Sequence, residues 1–280
     1  MADTIELATQ YLPYVDELFF TESVKSLLTN QDFTWDGAHT VKIYRISTGD
    51  MHDYGRSGPA TGNWSRFGPI QGLDATTQTM TLRKDRSFTF AVDKLDTDET
   101  KRTLEGATAL ARQLREIVIP EVDTWVYAQM CEHAGQVPAP EALTADNVFD
   151  EIVKGTNALD NAEVPTVSRY LMVTPDTYML MKKNGDIVMT TDIAQGMRNR
   201  GVIAFIDGLS VIRIPANRLP AGFGFMLAHP VATVAPVKLE DFRIHKDPPG
   251  ISGDLVEGRI NYDAFVLENK ANALYYQAVE

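Results

Sequence analysis

The stretch from Asp96 to Gly135 constrains the fold most, because its apolar residues recur with the period of one buried helical face. Leu104, Ala107, Leu110, Ala111, Leu114, Ile117 and Val118 follow each other at three- and four-residue spacing. Asp96 and Glu99 have the form of a capping box, and Asp96, Asp98 and Glu99 together suit the positive end of a helix dipole. The spacing predicts a helix from near Thr97 to about residue 134. Unbroken, at ~1.5 Å per residue, it would span on the order of 55 Å, far beyond an average helix of ~11–12 residues. Pro120 lies inside the pattern, lacks a backbone donor and crowds the preceding turn, so the rod is expected to bend near 116–119 and continue. A rod of this length suits a building block better than a compact enzyme.

A chain of 280 residues allows one or two domains, and 44% hydrophobic content is enough for a core. No apolar run reaches 18 residues, and the first twenty residues mix acids with aromatics, which argues against a membrane span or a secretory signal. Cys131 is the single cysteine, so an internal disulfide framework and a cysteine-built zinc site are both excluded, and a reducing compartment is the simplest inference. The net charge of −12 disfavours a reader of nucleic-acid sequence. The distribution is more telling than the total. Residues 37–90 carry seven bases and four acids, and 91–135 carry five bases and nine acids. Between copies of one chain, such segments would be a complementary pair.

Residues 1–36 read as an acidic arm, with Tyr11, Tyr14, Phe19, Phe20, Phe33 and Trp35 giving more aromatic surface than a free tail leaves in water. The arm is expected to dock on something. Strand-forming runs at 39–46 and 76–92 flank a loop in which six of the 19 glycines fall within 49–72, with Pro59 and Pro69. A connection of about 25 residues far exceeds the usual ~2–5 of a hairpin. Two strands with such a tip make a flap that cannot bury itself and needs a partner surface. Further on, 142–165 reads as a helix capped by Thr144 or Asp146, and Tyr170–Val173 as a buried strand before a Thr-Pro-Asp helix start. Two strands then flank a turn at Asp207-Gly208. The succession is α+β with segregated elements.

Catalytic motifs were weighed against plainer readings. LDTDET at 95–100 matches a phosphorylated-aspartate pattern, but that motif ends a buried strand, and here its acids open a helix. Cys131 and His133 are two apart and point to different helix faces. The methionines 172, 179, 181 and 189 read as core filling. The remaining histidines lie in no metal-binding spacing, and no nucleophile elbow, phosphate-binding lysine loop or dinucleotide glycine motif is present. No catalytic residue, cofactor or metal is expected.

The order of arm, glycine-rich flap, kinked rod, α+β domain and returning strands resembles the major capsid proteins of tailed bacteriophages with the Hong Kong 97 fold. The likeness rests on SFTFAVDKLDTDET running into ATALARQLREIVIPEVDTWVYAQM, then YLMVTPDTYMLM, the pair GLSVIRIPANRLP, and the block from Val237 to Gln277. It implies an N-terminal arm at 1–36, an extended E-loop hairpin at 37–92, and a spine helix with peripheral domain at 93–140. An axial domain at 141–235 and peripheral return strands at 236–280 complete it.

The function so implied is self-assembly through hexamers and pentamers into an icosahedral virion shell around packaged DNA, built in the host bacterial cytoplasm. Portal, scaffolding and decoration proteins are the implied partners, DNA is met only by non-specific proximity, and no membrane is involved. In some family members an E-loop lysine forms an isopeptide bond with an Asn of a neighbour. Lys84 is the residue such a role would use, although no motif marks the partner Asn or a catalytic Glu. The alternative that keeps the fold is an encapsulin-type cellular nanocompartment. In either shell the flap is expected to lie over the spine of the next copy. Arg45, Arg56, Arg66, Arg83, Lys84 and Arg86 would then face Asp93, Asp96, Asp98, Glu99 and Glu105 across the interface.

Overall fold

A computed structural model of the chain describes residues 23–30, 40–46, 48–59, 64–70, 72–95, 105–184 and 202–279. The chain divides into two units, Gly37–Thr81 and a body formed by everything else.

The smaller unit is a hairpin. Strand β1 (Thr40–Ile46) pairs antiparallel with β2 (Ala75–Thr81), in register from Thr40 opposite Thr81 to Ile46 opposite Ala75. The run 76–92, expected to be one strand, is two. It breaks at Leu82–Arg83, and the second half, β3 (Lys84–Asp93), belongs to the body, where it pairs with β10 (Gly253–Tyr262). β-propensity marks residues that fit a pleated surface but not the partner they pair with, so the sequence could not place this break. The flap therefore ends at Thr81 and not at residue 92.

In the body, β10 is the middle of a three-stranded antiparallel sheet between β3 and β9 (Val237–Lys246). Val256, Ile260 and Tyr262 are buried on its inner face. Gly258 leaves the space into which Phe88 and Phe242 fold from either side: a Cβ there would lie 2.3 Å from the Phe88 ring and 2.8 Å from that of Phe242. The two rings stack at 6.1 Å over the gap.

A single helical turn, α1 (Lys25–Leu28), comes before the hairpin in the chain, and the long helix comes after β3. Residues 96–104, which include the expected capping box and Leu104, lie outside the described residues. The described helix α2 begins at Gly106 (Gly106–Gln113), with Glu105 extended at its N-cap (φ −107, ψ 146), so the helix is not continuous from Thr97. It widens into a π turn at Leu114–Val118 and resumes as α3 (Ile119–Glu132). Ile119 N–H reaches back five residues to the Leu114 carbonyl. The irregularity lies just before Pro120 and is a π turn: a wider turn moves the crowded carbonyl away from the proline ring without ending the helix.

A five-stranded sheet carries the rest of the core in the order β12 (Leu274–Ala278), β7 (Phe223–Ala228), β4 (Tyr170–Val173), β6 (Leu209–Arg213), β5 (Val202–Ile206). Only β4 and β6 pair in parallel. All six residues of β7 are buried, as befits a strand covered on both faces. Helix α4 (Val148–Asn161) comes so close to the sheet that a Cβ on Gly155 would meet Leu227 at 2.4 Å. Thr144 and Asn147 hydrogen-bond each other ahead of this helix, and Asn147 is its N-cap. Helix α5 (Pro175–Lys183) starts where Thr-Pro-Asp predicted, the Thr174 hydroxyl accepting the Thr177 N–H at 3.0 Å. The Asp207-Gly208 turn has both residues at positive φ (46 and 74), the conformation that suits the twist of a two-residue hairpin. A short pair, β8 (Thr233–Val234) with β11 (Phe265–Val266), completes the strands. No helix among the described residues is long and apolar enough to cross a membrane.

Candidate subunit-contact surfaces

The Gly37–Thr81 unit has almost no interior. Tyr44, Ile46, Met51, Tyr54, Trp64, Phe67, Ile70 and Leu73 are all more than half exposed, from 52% at Tyr54 to 97% at Met51. Among the described residues of this unit only Met80 is a buried hydrophobic. Tyr54 and Phe67 meet edge to face at 5.0 Å, and Gly55 N–H bonds the Arg66 carbonyl at 2.9 Å, which gives the tip a local shape without burying it. Scattered surface apolar residues are ordinary, but eight large ones on a two-stranded ribbon mark a contact surface.

The predicted contact residues separate into two groups. Arg45 sits half-buried on β1 opposite Thr76, and Arg56 and Arg66 are exposed in the tip. The other three bases belong to the body and have partners in the same chain. Arg83 donates its backbone N–H (2.9 Å) and its Nε (3.3 Å) to Asp263 Oδ2, and its Nη2 to Gln129 Oε1 at 3.0 Å. Lys84 Nζ lies 3.8 Å from the centre of the Trp125 ring. Arg86 Nε bonds Glu121 at 2.7 Å. The basic segment does meet the acidic rod, but within one chain, because β3 returns along α3. With the boundary at Thr81, the flap's charges are Lys42, Arg45, Arg56 and Arg66 against Asp50, Asp53 and Asp74. Among the acids, Asp93 accepts the Leu95 N–H at 2.8 Å, and Glu105 is exposed at the N-cap of α2. Asp96, Asp98 and Glu99 lie outside the described residues.

Two fully buried carboxylates have no mark in the sequence reading. Asp263, with no exposed side-chain surface, ties Arg83 to Trp125, whose Nε1–H donates to Oδ1 at 2.8 Å. Asp123, also fully buried, receives the Ser23 hydroxyl at 2.7 Å and Arg218 Nη1 at 3.0 Å. Burial pushes the Asp123 carboxyl above its usual range, against the hydrogen bonds from Ser23 and Arg218. Beside it the Tyr127 hydroxyl, bonded to the Val24 backbone, is pushed up by burial and by the Asp123 charge. Residues 23–30 are thus held at one end by α3 and at the other by β8, where Asn30 N–H bonds the Thr233 carbonyl at 2.7 Å; Leu28 between them is fully buried. Residues 23–30 thus pack on the body of their own chain. The only sequence signal was an acid within the apolar face of α3.

Cys131 is buried, and burial raises its thiol to about 12, which suits a packing role. His133 Nδ1 lies 3.1 Å from the Gln129 carbonyl, one turn back along its own helix. No group of three metal-ligating side chains occurs among the described residues. The phosphatase-like aspartates fall on residues 96 and 98, outside them.

No family model matches the sequence. No curated protein matches it either. Solved structures do. A structure from Mycobacterium phage Che8 aligns over 99% of this chain and 97% of its own, at 18% identity and a TM-score of 0.71. The capsid of cyanophage P-SCSP1u aligns over 98% of this chain and 93% of its own, at 12% identity and a TM-score of 0.74. A virus-like particle from Pyrococcus furiosus aligns over 91% of this chain and 92% of its own, at 12% identity and a lower TM-score of 0.53. End-to-end agreement of this kind identifies the fold of this chain as that of the tailed-bacteriophage major capsid proteins.

Proposed function

We propose that the chain is the repeating subunit of a phage capsid shell, structural and not catalytic, assembling with copies of itself through hexamers and pentamers around packaged DNA. The observation that carries this reading is the Gly37–Thr81 flap: eight exposed large apolar side chains on a unit without a core are satisfied when another copy covers them. In this reading 1–36 is the arm, 37–81 the E-loop, 82–140 with 236–280 the spine and peripheral domain, and 141–235 the axial domain. Arg45, Arg56 and Arg66 orient the flap against acids of the neighbouring spine, drawn from Asp93, Asp96, Asp98, Glu99 and Glu105. The acidic balance of −12 suits the inside of a container, where tight DNA binding would hinder packing and release. Portal, scaffolding and decoration proteins complete the particle, which is assembled in the host cytoplasm. A cellular nanocompartment is less favoured, because the virus-like particle aligns more weakly than the phage structures.

Expression of the full chain followed by electron microscopy and light scattering tests the proposal. Closed shells or capsomers are expected. A monodisperse monomer at micromolar concentration, with the 49–72 loop resistant to protease, would overturn it.

A further inference from the structure

Strands β4 and β6 run in parallel, and Val173 and Arg213 stand opposite each other at their carboxyl ends. Arg213 is the one exposed residue of β6. Helix α5 starts directly after β4 and brings Tyr178, 8% exposed, beside this strand end. The Arg213 guanidinium carbon lies 5.7 Å from the centre of the Tyr178 ring, and Lys182 Nζ, one turn further along α5, lies 4.9 Å from it. Attraction to the ring holds each cation in place and leaves its charge uncompensated.

Neither cation has a carboxylate partner among the described residues, and the Tyr178 hydroxyl has no hydrogen bond among them. The nearby acids in sequence do not serve. Asp176 precedes Tyr178 by two residues, so it lies on a different side of α5 from the i, i+4 pair of Tyr178 and Lys182. Asp207 sits at the opposite end of β6, about 20 Å away at ~3.3 Å per residue and beyond a Debye length of ~8 Å. The negative end of the α5 dipole accounts for Lys182 and Lys183 in its last turn, but not for Arg213.

Resting on the capsid reading and deepening it, we propose that Arg213, Lys182 and the Tyr178 hydroxyl form a seat for one phosphate group, from the backbone of DNA inside the shell or from free inorganic phosphate. A guanidinium fork bonds two phosphate oxygens at once, an ammonium takes another as a point charge, and a phenol donates one hydrogen bond. A carboxylate has only two oxygens and satisfies this set less well. Contacts to phosphate position a duplex without reading its sequence. The net charge of −12 keeps each such contact weak, which suits DNA that is packed and later released.

The test uses the full, unassembled chain and two probes: a short DNA duplex, followed by fluorescence anisotropy at low salt, and inorganic phosphate, followed by NMR against chloride at equal ionic strength. The double variant Arg213→Gln, Lys182→Gln should bind on the order of tenfold more weakly, equally for duplexes of different sequence, and the slope of log affinity against log salt should fall by about one. Its thermal unfolding without either probe should be unchanged. Tyr178→Phe keeps the ring and removes the hydroxyl, and should weaken binding about threefold. Weakening for the duplex, with or without inorganic phosphate, assigns the seat to DNA; weakening for inorganic phosphate alone assigns it to the free ion; either supports the seat. Wild-type affinity for both probes in the double variant would overturn it, and loss of assembly in that same variant would then assign the cluster to a carboxylate of a second copy. Failure of the wild type to assemble would overturn the capsid reading separately, because neither binding measurement uses particles.

Discussion

The Gly37–Thr81 flap and the body draw on the same residue types and dispose of them in opposite ways. In the body, Phe225, Met226, Leu227, Leu171 and Met172 are fully buried, and even charged pairs and carboxylates are enclosed, Asp123 with Arg218 and the side chain of Asp263. In the flap, apolar rings stand in water, and strand pairing with a few contacts at the tip defines the shape. A large side chain fully buried contributes about 1.5–3 kcal/mol, so the body is stabilised as a single chain while the flap gains that energy only on assembly. Substitutions in the body should therefore register as unfolding, and substitutions in the flap as failed assembly.

The largest effect expected is at Asp123. Asp123→Ala removes the buried carboxylate that accepts from both Ser23 and Arg218, and should lower stability by about 3–5 kcal/mol in denaturant unfolding of the unassembled chain. A loss below about 1 kcal/mol would mean that water reaches this pair and that the body is looser than its packing indicates.

A matched charge reversal sharpens the contrast. Arg83→Glu sets a carboxylate against buried Asp263 and removes the Nε hydrogen bond to it, a bond to a charged group worth about 1.5–3 kcal/mol, so a loss of about 2 kcal/mol is expected. Arg56→Glu, on an exposed flap position, should stay within about 0.5 kcal/mol. Equal effects on unfolding would erase the distinction between the two regions.

Pro120→Ala restores a backbone donor and removes the ring that the π turn accommodates. The segment 114–118 should relax toward regular helix, visible as altered amide exchange, with a stability change within about 1 kcal/mol and a shifted distribution of shell sizes. Retention of the π turn would show that packing on the sheet maintains it.

The smallest effect is a pH dependence. His229 Nδ1 accepts the Val231 N–H at 3.2 Å, and Nε2 lies 3.1 Å from the Val167 carbonyl, an arrangement that uses the neutral ring. Burial, with Arg169 and Lys270 nearby, lowers its pKa. The neutral ring thus contributes stability that is present above the ordinary histidine value of ~6.5 and lost as pH falls through the depressed value. His229→Gln should flatten the decline of Tm between about pH 6.5 and 5, and an unchanged slope would assign that decline to other groups.

The sequence by itself determined what depends on neighbours along the chain. Apolar periodicity revealed α2 and α3, a missing donor placed the irregularity at Pro120, Thr174 opened its helix, and Asp207-Gly208 made the hairpin turn. The glycine-rich run at 49–72 revealed a flap that has no interior. Each of these follows from torsional preference or from hydrogen bonds spanning a few residues. Only the tertiary structure decided which strand pairs with which and which charges are enclosed. The residues 76–81 and 84–92 have similar strand propensity, and their separation at Leu82–Arg83 is set by β10, far away in sequence. Ser23 meets Asp123 across 100 positions and Arg83 meets Asp263 across 180. A carboxylate destined for burial looks the same in sequence as one bound for solvent, because its cost and its compensation both arise from groups that only folding brings together.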